Sequence, residues 1–303
     1  MPFRTSRYVS IPDGGKMHES VMVTQGLAAL LTCQLRFLVA GDESASRPRT
    51  MGSPKIPAGS GNGLSPRFRG VLIHEVIAGV FRSPLEKRHP DIAKELARRL
   101  LLERGISHGA KDLDIIDSRI HALFRTFDPR TIRVESWGVE RELTAAIDGL
   151  VVNGRIDLLI GRDDSWKMVD FKTGGDRYDG VQDHLWKTQS RWHADRPVPT
   201  DDPWFGLITY ALLASENSPK PLRIVLSLVR LATRTLDERR LESREVKDHR
   251  LVIMNAFEGA RTALRNGVAL AQRGPHCMDC PFKPLCPLWT GRDRKFSGPG
   301  GRA

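Results

Sequence analysis

Apolar residues recur at helical spacing through the first part of the chain. Residues 24–39 carry leucines at intervals of three and four positions, and Thr24 stands before them as a suitable N-cap. We therefore expect a helix over residues 24–39. The same spacing predicts helices over residues 70–81, 91–104 and 111–127.

The pattern changes to that of β-strands after residue 138. Three apolar runs follow one another, separated by turn signals at residues 153–154 and 161–165. We expect these runs to pair as an antiparallel meander that ends at the glycines 174 and 175. Further along, the sequence predicts a helix, a buried strand and a long charged helix. The ranges are 139–152, 154–160 and 167–173 for the meander, and then 204–214, 222–231 and 237–272.

This order of elements predicts an α/β fold with a central mixed β-sheet flanked by helices. Residues 1–23 carry no clear period, and we expect a loosely ordered N-terminal segment. Residues 41–69 are rich in Ser, Pro, Gly and Arg and are interpreted as a mobile basic loop inside one domain over residues 24–290. Residues 291–303 are expected to form a basic disordered tail. The loop and the tail are candidates for phosphate contacts or for solvated disorder, the tail through Arg292, Arg294, Lys295 and Arg302.

The composition is that of a soluble globular protein, with 40% hydrophobic and 27% charged residues among 303. The longest apolar runs span only a few residues, which excludes a membrane-spanning helix. The first residues contain no apolar signal core, so we expect a cytoplasmic location. Lys and Arg number 47 against 36 Asp and Glu, a net charge of +11. This balance favours an anionic partner, and nucleic acid ranks ahead of a membrane surface.

Two predicted strands carry charged residues where apolar ones would be expected. Asp157 interrupts the apolar run GRIDLLI, and Asp170 and Lys172 project from one face of KMVDFKT. A carboxylate in an apolar strand is costly unless it is paired or bound to a cation. If the strands are neighbours, both aspartates can converge on one hard divalent cation such as Mg²⁺, with Lys172 beside its water. A D-x-K triplet alone is more often an ordinary ion pair on a sheet edge.

The four cysteines form a second pattern. Cys277, Cys280 and Cys286 follow the spacing C-x2-C-x5-C, and Cys33 lies far away in sequence. Four thiolates suit either structural zinc or an iron–sulfur cluster. Zinc ribbons generally use two C-x2-C pairs, and this chain has one. Unrelated buried thiols are a third interpretation.

Together these motifs resemble the PD-(D/E)XK nuclease superfamily, and in particular its RecB-like branch. The matched pieces are G-x-x-x-H-E at 70–75, G-R-I-D at 154–157 and V-D-F-K-T-G at 169–174. The resemblance extends over about residues 24–287. It implies a restriction-endonuclease-like core and a deoxyribonuclease that uses Mg²⁺ or Mn²⁺ and leaves a 5′-phosphate and a 3′-hydroxyl.

The resemblance also implies roles for individual residues. The two aspartates and the helix histidine would ligate the metal together with the backbone carbonyl of Phe171, and the lysine would support the attacking water. By number, the aspartates are Asp157 and Asp170, the histidine is His74 and the lysine is Lys172. A glutamate upstream of G-R-I-D carries over to Glu140, with Glu142 as its rival.

One departure from the family pattern concerns a Q-x-x-x-Y helix that normally follows D-x-K. Tyr210 fits the tyrosine, but Gly206 stands at the glutamine position. Gln182 and Gln189, which precede it, are the candidate substitutes. Because the glutamine and tyrosine support the site and the DNA, the departure questions DNA positioning more than metal binding.

The cysteine pattern is similar to that of iron–sulfur nucleases, namely the nucleases of CRISPR spacer acquisition and the nuclease domain of AddB-type helicase–nuclease subunits. This implies a [4Fe–4S] cluster that clips the two ends of the domain together, with zinc as the less favoured occupant. Its ligands would be Cys33, Cys277, Cys280 and Cys286.

Three functions follow as hypotheses. The first is a metal-dependent DNA nuclease, an exonuclease on single-stranded or end-bearing DNA, in repair, recombination or CRISPR adaptation. The second is a nuclease-fold DNA-binding subunit with little or no catalysis, and the third is a zinc-stabilised DNA-binding protein. Candidate protein partners are a helicase subunit and CRISPR adaptation proteins. The tryptophans at 186, 192 and 204 are candidates for base stacking or for core packing.

Overall fold

A computed structural model describes most of the core of this protein. The described residues are 6–10, 22–23, 30–31, 33–34, 38, 64–106, 108–135, 138–162, 165–174, 204–218, 223–272 and 286. Within these ranges, the helices are all too short or too polar to cross a membrane.

Five helices are complete within the described residues; the sequence predicted a helix in each place, four of them with approximately the observed bounds. The first begins at an N-cap serine, Ser65, whose hydroxyl accepts a hydrogen bond from the amide of Phe68 at 3.2 Å. The bounds are α1 Pro66–Arg82, α2 Pro90–Glu103, α3 Ala110–Thr126, α4 Phe205–Glu216 and α5 Ser243–Asn266. The start of α1 lies inside the segment 41–69 that was interpreted as a loop.

Eight strands are described, and six of them form one mixed sheet. Along that sheet the order is β2, β4, β5, β6 and β7, and β3 pairs with β4 as well. The β2–β4 and β5–β6 pairs are parallel, and the other pairs are antiparallel. The predicted mixed sheet is therefore confirmed. The bounds are β1 Ser6–Ser10, β2 Met22–Val23, β3 Val139–Ile147, β4 Leu150–Arg162, β5 Ser165–Lys172, β6 Arg223–Arg230, β7 Thr235–Leu241 and β8 Val268–Gln272.

The antiparallel meander of β3, β4 and β5 is present, but its first turn lies elsewhere than predicted. The chain reverses at Asp148 and Gly149, which both have positive φ angles of 48° and 85°. A two-residue hairpin needs this backbone geometry, and an Asp-Gly pair adopts it readily. Asn153 and Gly154, taken as the turn signal, instead lie inside β4 and pair with β3. That prediction was wrong because the sequence offers two equivalent turn signals, Asp148-Gly149 and Asn153-Gly154, five residues apart.

The long helix predicted over residues 237–272 is also wrong at both of its ends. Residues 235–241 form β7, which pairs with β6, and residues 268–272 form β8, which pairs with β1. Only the middle of the segment is helical. Gly267 ends α5 in the left-handed conformation, at φ 66°, which glycine adopts without steric cost.

The N-terminal segment contains two described strands, although its sequence shows no period. Pairing with distant strands, β8 and β4, supplies the hydrogen bonds that hold β1 and β2. Of the helix predicted over residues 24–39, the described residues Leu30, Leu31, Gln34 and Leu38 are helical. The remainder of the basic loop, the tail, Trp186, Trp192, Gln182, Gln189, Cys277 and Cys280 lie outside the described residues.

Helices cover both faces of the sheet. One hydrophobic cluster joins α1, α2 and α3 to one face, and it includes Val169 and Phe171 of β5. The other cluster joins α4 and α5 to the opposite face, and it includes Met168 of the same strand. The sheet is therefore the middle layer of three, as expected for an α/β fold.

Candidate metal centre

The candidate site lies where the strands β4 and β5 separate. Their ladder ends at the pair Leu158 and Val169, one position before Asp157 and Asp170. The same edge of β4 is taken by β2 at residues 152–153. Between these two partners the edge of β4 has no paired strand. Asp157 on β4 and Asp170 on β5 occupy the first position beyond the last pair of their ladder.

The alternation of side chains also changes phase at this level of the sheet. In β3, Val139 packs with α1, α2 and α3, whereas Leu143 and Ala145 pack on the opposite face, although all three have odd numbers. In β4, Ile156 and Leu158 likewise fall on opposite faces. A regular strand would keep each set on one face. The irregular backbone turns Glu140 and Asp157 away from the positions that simple alternation would give them.

Asp157 is held by contacts to both of its carboxylate oxygens. Oδ1 lies 3.2 Å from Nδ1 of His74 on α1, and Oδ2 accepts the backbone N–H of Phe171 at 2.7 Å. The second contact means that a side chain, and not a strand backbone, satisfies the amide at the point where the ladder stops. The carboxylate is thereby fixed between the helix and the sheet.

Glu140 completes a group of three ligand-type side chains. Ligand atoms of His74, Glu140 and Asp157 all lie within 4.8 Å of one another, and each residue is partly buried. Glu142, the rival of Glu140, is exposed and lies outside this group. Glu140 has a positive φ of 53°, an unfavourable conformation for a residue with a Cβ atom. Strain of this kind is characteristic of functional positions.

Asp170 lies beside this group and faces the lysine of the D-x-K motif. Its Oδ2 is 2.8 Å from Nζ of Lys172. The same oxygen is buried and, among the described residues, finds no donor with the angles of a true hydrogen bond. Charge proximity without a satisfied hydrogen bond leaves Oδ2 available to a further ligand.

The pKa values of these groups depart from their usual ranges in one consistent way. Burial raises the pKa of Asp170 and of Glu140, and the charge of Asp157 raises both further, although Lys172 and Arg155 act against the shift. Burial acts to lower the pKa of His74, but the hydrogen bond and charge of Asp157, together with the charges of Asp170 and Glu140, outweigh burial and raise it. The carboxylates therefore repel one another and attract protons.

A bound divalent cation would relieve this repulsion. Carboxylate oxygens together with an imidazole nitrogen form a donor set that Mg²⁺ or Mn²⁺ accepts, and these hard ions are often held by only one or two carboxylates. The unsatisfied Oδ2 of Asp170 fits the same interpretation. The residues present thus suit a hard divalent metal.

Lys172 is held in its charged form by the acidic residues around it. Burial would lower its pKa, but the ion pair with Asp170, followed by the charge of Asp157, raises it above the usual range. The charge of Tyr210 acts in the same direction, so this tyrosine on α4 lies near the lysine. The structure therefore brings Tyr210 to the side of the site that faces α4.

Gly206 lies in the first turn of α4, one helical turn before Tyr210. A Cβ atom added at this glycine would meet no atom of the described structure within 4 Å. The glycine is thus not required by close packing among the described residues.

Packing behind the site fixes the backbone of the D-x-K strand. The ring of Phe171 lies 6.1 Å from that of Phe81 on α1 and 5.7 Å from that of Phe127, measured between centroids. Gly70 allows α1 to approach the end of β5, because a Cβ there would come within 3.1 Å of the hydroxyl of Thr173. These contacts explain why a glycine precedes His74 by one helical turn.

Two of the four cysteines are described, and they lie in one part of the core. Cys33 is buried within the hydrophobic cluster of α4 and α5, and Cys286 packs against the same cluster. Residues from the two ends of the predicted domain therefore pack on the same side of the sheet. The other two cysteines are outside the described residues, so the predicted cluster stays a prediction.

Sequence reasoning missed one charged residue at the site. Arg155 is the arginine of G-R-I-D, and its Nε lies 2.8 Å from Oε2 of Glu140. The charge of Arg82, at the end of α1, also acts on Glu140. The signal for Arg155 was its place in the G-R-I-D motif, two residues before Asp157.

Comparison with known proteins agrees with this geometry. The family profile of the PD-(D/E)XK nuclease superfamily matches residues 24–287. The chain belongs to the PD-(D/E)XK nuclease superfamily. The described fold, a mixed sheet between helices, is consistent with the restriction-endonuclease-like core of this superfamily. The possible metal group of His74, Glu140 and Asp157 lies within the matched residues.

A crystal structure of a candidate exonuclease from Eubacterium rectale was also found. It has a TM-score of 0.45 and 11% sequence identity, and the alignment covers 87% of this chain and 86% of the other. Among curated protein sequences, none matches this chain.

Proposed function

We propose that this PD-(D/E)XK protein is a DNA nuclease that hydrolyses phosphodiester bonds with Mg²⁺ or Mn²⁺. The observation that carries the proposal is the half-buried group of His74, Glu140 and Asp157, with ligand atoms within 4.8 Å. The ion pair of Asp170 and Lys172 stands next to it. An acidic pocket beside a protonated lysine matches the charges of a metal-assisted attack on a phosphodiester.

The side chains that would hold the metal are His74, Glu140, Asp157 and Asp170, with the backbone carbonyl of Phe171 as the predicted fifth ligand. The metal, when bound, polarises a phosphoryl oxygen and makes a water molecule more acidic. The protein supplies the fixed geometry, because the Phe171 amide and His74 already orient the Asp157 carboxylate.

Lys172 acts as a hydrogen-bond donor and a positive charge, and not as a base. Its raised pKa keeps the proton on Nζ at neutral pH. The ammonium can orient the attacking water and stabilise the negative charge that develops on the phosphoryl oxygens. Asp170 restrains the position of the ammonium through its 2.8 Å contact.

The substrate and pathway extend the proposal beyond the site. The net charge of +11 favours a polyanion, and DNA is the proposed partner, as single strands or ends. The same proposal includes membership of the RecB-like branch and a cytoplasmic location. It also includes a role together with a helicase or CRISPR adaptation proteins. They are supported by the sequence resemblance.

Cleavage assays test the proposal directly. Linear single-stranded, linear double-stranded and circular DNA are incubated with protein and Mn²⁺, and EDTA serves as the blank. We expect degradation by the wild type and a loss of about 100-fold or more in Asp170→Asn and Lys172→Gln. Asp148→Asn in the hairpin turn is the matched control, because Asn also suits positive φ. Cleavage that survives both site substitutions would refute the assignment.

A second candidate function is a DNA-binding subunit on the same fold with little catalysis. The observation that favours it is Gly206, where the family pattern has a glutamine and where an added Cβ atom would meet no neighbour among the described residues. Tight DNA binding without cleavage under any divalent metal would support this candidate. A gain of cleavage in Gly206→Gln would show that the missing amide limits an otherwise competent site.

We also propose a [4Fe–4S] cluster held by Cys33, Cys277, Cys280 and Cys286. Its support is the cysteine spacing and the placement of Cys33 and Cys286 against one hydrophobic cluster. Protein purified without oxygen should be brown and contain about four irons and four sulfides, as expected for Cys₄ ligation. A colourless protein with one bound zinc would contradict the cluster and favour a zinc site.

A further inference from the structure

Arg155 places a positive charge directly against a candidate metal ligand. Its Nε is 2.8 Å from Oε2 of Glu140, and its side chain is 50% exposed while that of Glu140 is 16% exposed. The guanidinium thus reaches from solvent onto a mostly buried carboxylate.

The contact with Glu140 puts this charge next to the metal group. Ligand atoms of Glu140 lie within 4.8 Å of those of His74 and Asp157, and Arg155 lies 2.8 Å from Glu140. Ile156, the next residue along β4, packs away from this group against α4 and α5. The exposed cation therefore stands beside the group of His74, Glu140 and Asp157.

The fold gains little from this ion pair. Half-exposed pairs contribute about 0–1 kcal/mol to stability. The pair also places Arg155 in competition with a metal ion for the Glu140 carboxylate. A guanidinium has five N–H donors in a planar fork that matches the oxygens of a phosphate, and Nε supplies only one of them.

We propose that Arg155 binds the DNA phosphate next to the metal, and that it exchanges Glu140 for this phosphate when metal and DNA are both present. The inference rests on the proposed nuclease function and adds a substrate-binding residue to that site. In the free protein the arginine neutralises part of the acidic cluster. With metal bound, Glu140 is neutralised by the ion, and the guanidinium becomes available to the substrate.

DNA binding measured in Ca²⁺, a divalent ion that commonly supports binding without cleavage, tests Arg155 separately from catalysis. Fluorescence anisotropy follows a labelled single strand at several salt concentrations. We expect Arg155→Gln to weaken affinity about tenfold at low salt and to reduce the salt slope by roughly 1, because one phosphate contact is lost. Arg155→Lys should restore part of the affinity, since the charge returns without the fork.

Arg99→Gln is the matched control for this experiment. Arg99 is an exposed arginine on α2 with a single carboxylate neighbour, Glu103, at 3.6 Å. The Arg99→Gln variant should have the same DNA affinity and salt slope as the wild type. Mn²⁺ binding to Arg155→Gln should stay within about threefold of the wild type or become tighter, because a competitor for Glu140 has been removed.

Two results would overturn the inference. One is unchanged DNA affinity and salt slope in Arg155→Gln. The other is a combined loss of Mn²⁺ binding and thermal stability, which would make Arg155 only a support for Glu140. If the wild type binds DNA but never cleaves it, the nuclease proposal fails while the binding data still decide the role of Arg155. If the wild type binds no DNA, both fail.

Discussion

Glu140 carries the clearest conflict between local geometry and function at the scale of single residues. Its φ of 53° is unfavourable for a side chain with a Cβ, and burial and Asp157 raise the pKa of its carboxyl. Neither feature stabilises the fold. Both are explained if the position is kept for a ligand, since strained backbone at a functional site costs about 1–3 kcal/mol.

Glycine at this position should separate stability from function. We expect Glu140→Gly to leave the free energy of unfolding unchanged or to raise it by about 1 kcal/mol, because glycine adopts positive φ freely. The same variant should bind Mn²⁺ at least about tenfold more weakly. Both quantities are measured by urea unfolding and by Mn²⁺ titration.

Glu142→Gly is the control two residues along the same strand. Its backbone is not among the positive-φ positions of the described residues, so glycine there should cost roughly 0.5–1 kcal/mol. Equal destabilisation by the two glycines would contradict the strain at Glu140.

The sequence predicted residue types at the site better than it predicted their partners. Asp157, Asp170 and Lys172 were identified because charges are unexpected in apolar strands. The contact of Arg155 with Glu140 depends on a local backbone reversal that no spacing rule describes. For the same reason the choice between Glu140 and Glu142 needed the structure.

At the scale of elements, a buried arginine joins the end of α1 to the turn before β3. Arg88 is 5% exposed, and its guanidinium donates to the backbone carbonyls of Phe81, Ser83, Pro129 and Ile132. It also stacks on the ring of Phe81. These carbonyls lie at or next to the ends of helical elements, and that of Pro129 also accepts the backbone N–H of Ile132 at 3.4 Å.

Replacing this arginine by lysine should destabilise the protein strongly. Lysine keeps the charge but cannot reach four carbonyls in one plane, so buried acceptors lose their donors. We expect Arg88→Lys to lower the free energy of unfolding by about 2–4 kcal/mol in urea denaturation. Arg98→Lys on the half-exposed surface of α2 should change it by less than about 0.5 kcal/mol. A similarly small effect of Arg88→Lys would contradict the stabilising role of the hydrogen bonds that Arg88 donates.

The contact between α4 and α5 contains a buried neutral histidine. Burial lowers the pKa of His249 to about 4. Its Nε2 lies 2.9 Å from the hydroxyl of Thr209, which donates to the carbonyl of Phe205 at 2.8 Å. The hydroxyl oxygen therefore accepts from the Nε2–H tautomer.

This histidine makes stability depend on pH over a defined window. Its folded-state pKa lies below the unfolded value of about 6.5, so its contribution is complete above pH 6.5 and is lost as the pH falls to 4. The loss is at most about 3 kcal/mol. His249→Gln should remove that much of the decrease in unfolding free energy between pH 6.5 and 4. An identical pH profile in the variant would contradict the assignment.

The elements that were predicted incorrectly share a physical cause. The segment 235–241 is highly charged, and its strand state comes from pairing with β6 rather than from its own apolar pattern. The strand β8 exists because β1 pairs with it from the other end of the chain. Local periodicity cannot report such distant partners. The helices α1 to α4 were predicted well because their apolar faces are set by their own residues.

At the scale of the whole molecule, the architecture explains why the site lies in the middle of the sheet. Helices α1, α2 and α3 cover one face, and α4 and α5 cover the other, so Asp157 of β4 and Asp170 of β5 are mostly removed from solvent, at 15% and 18% exposed. His74 reaches them from one layer, and Tyr210 approaches Lys172 from the other. The site is thus assembled from three layers and depends on the complete fold.

The fold class and the superfamily could be inferred from the sequence because the motifs on two neighbouring strands together resemble the family pattern. The D-x-K strand and the G-R-I-D strand gave the core, and residues 24–287 match the superfamily. The interaction between the ends of the domain could be inferred only from the cysteines. Cys33 and Cys286 do pack on one cluster, and the ion or cluster that would join them stays a prediction.

Mn²⁺ binding, followed by the electron paramagnetic resonance signal of the free ion, tests the central claim most directly. The wild type should bind Mn²⁺, and His74→Ala and Asp157→Asn should each weaken the affinity at least about tenfold while Asp148→Asn leaves it unchanged. Equal Mn²⁺ affinity in the wild type and in both site variants would contradict a metal centre formed by these side chains.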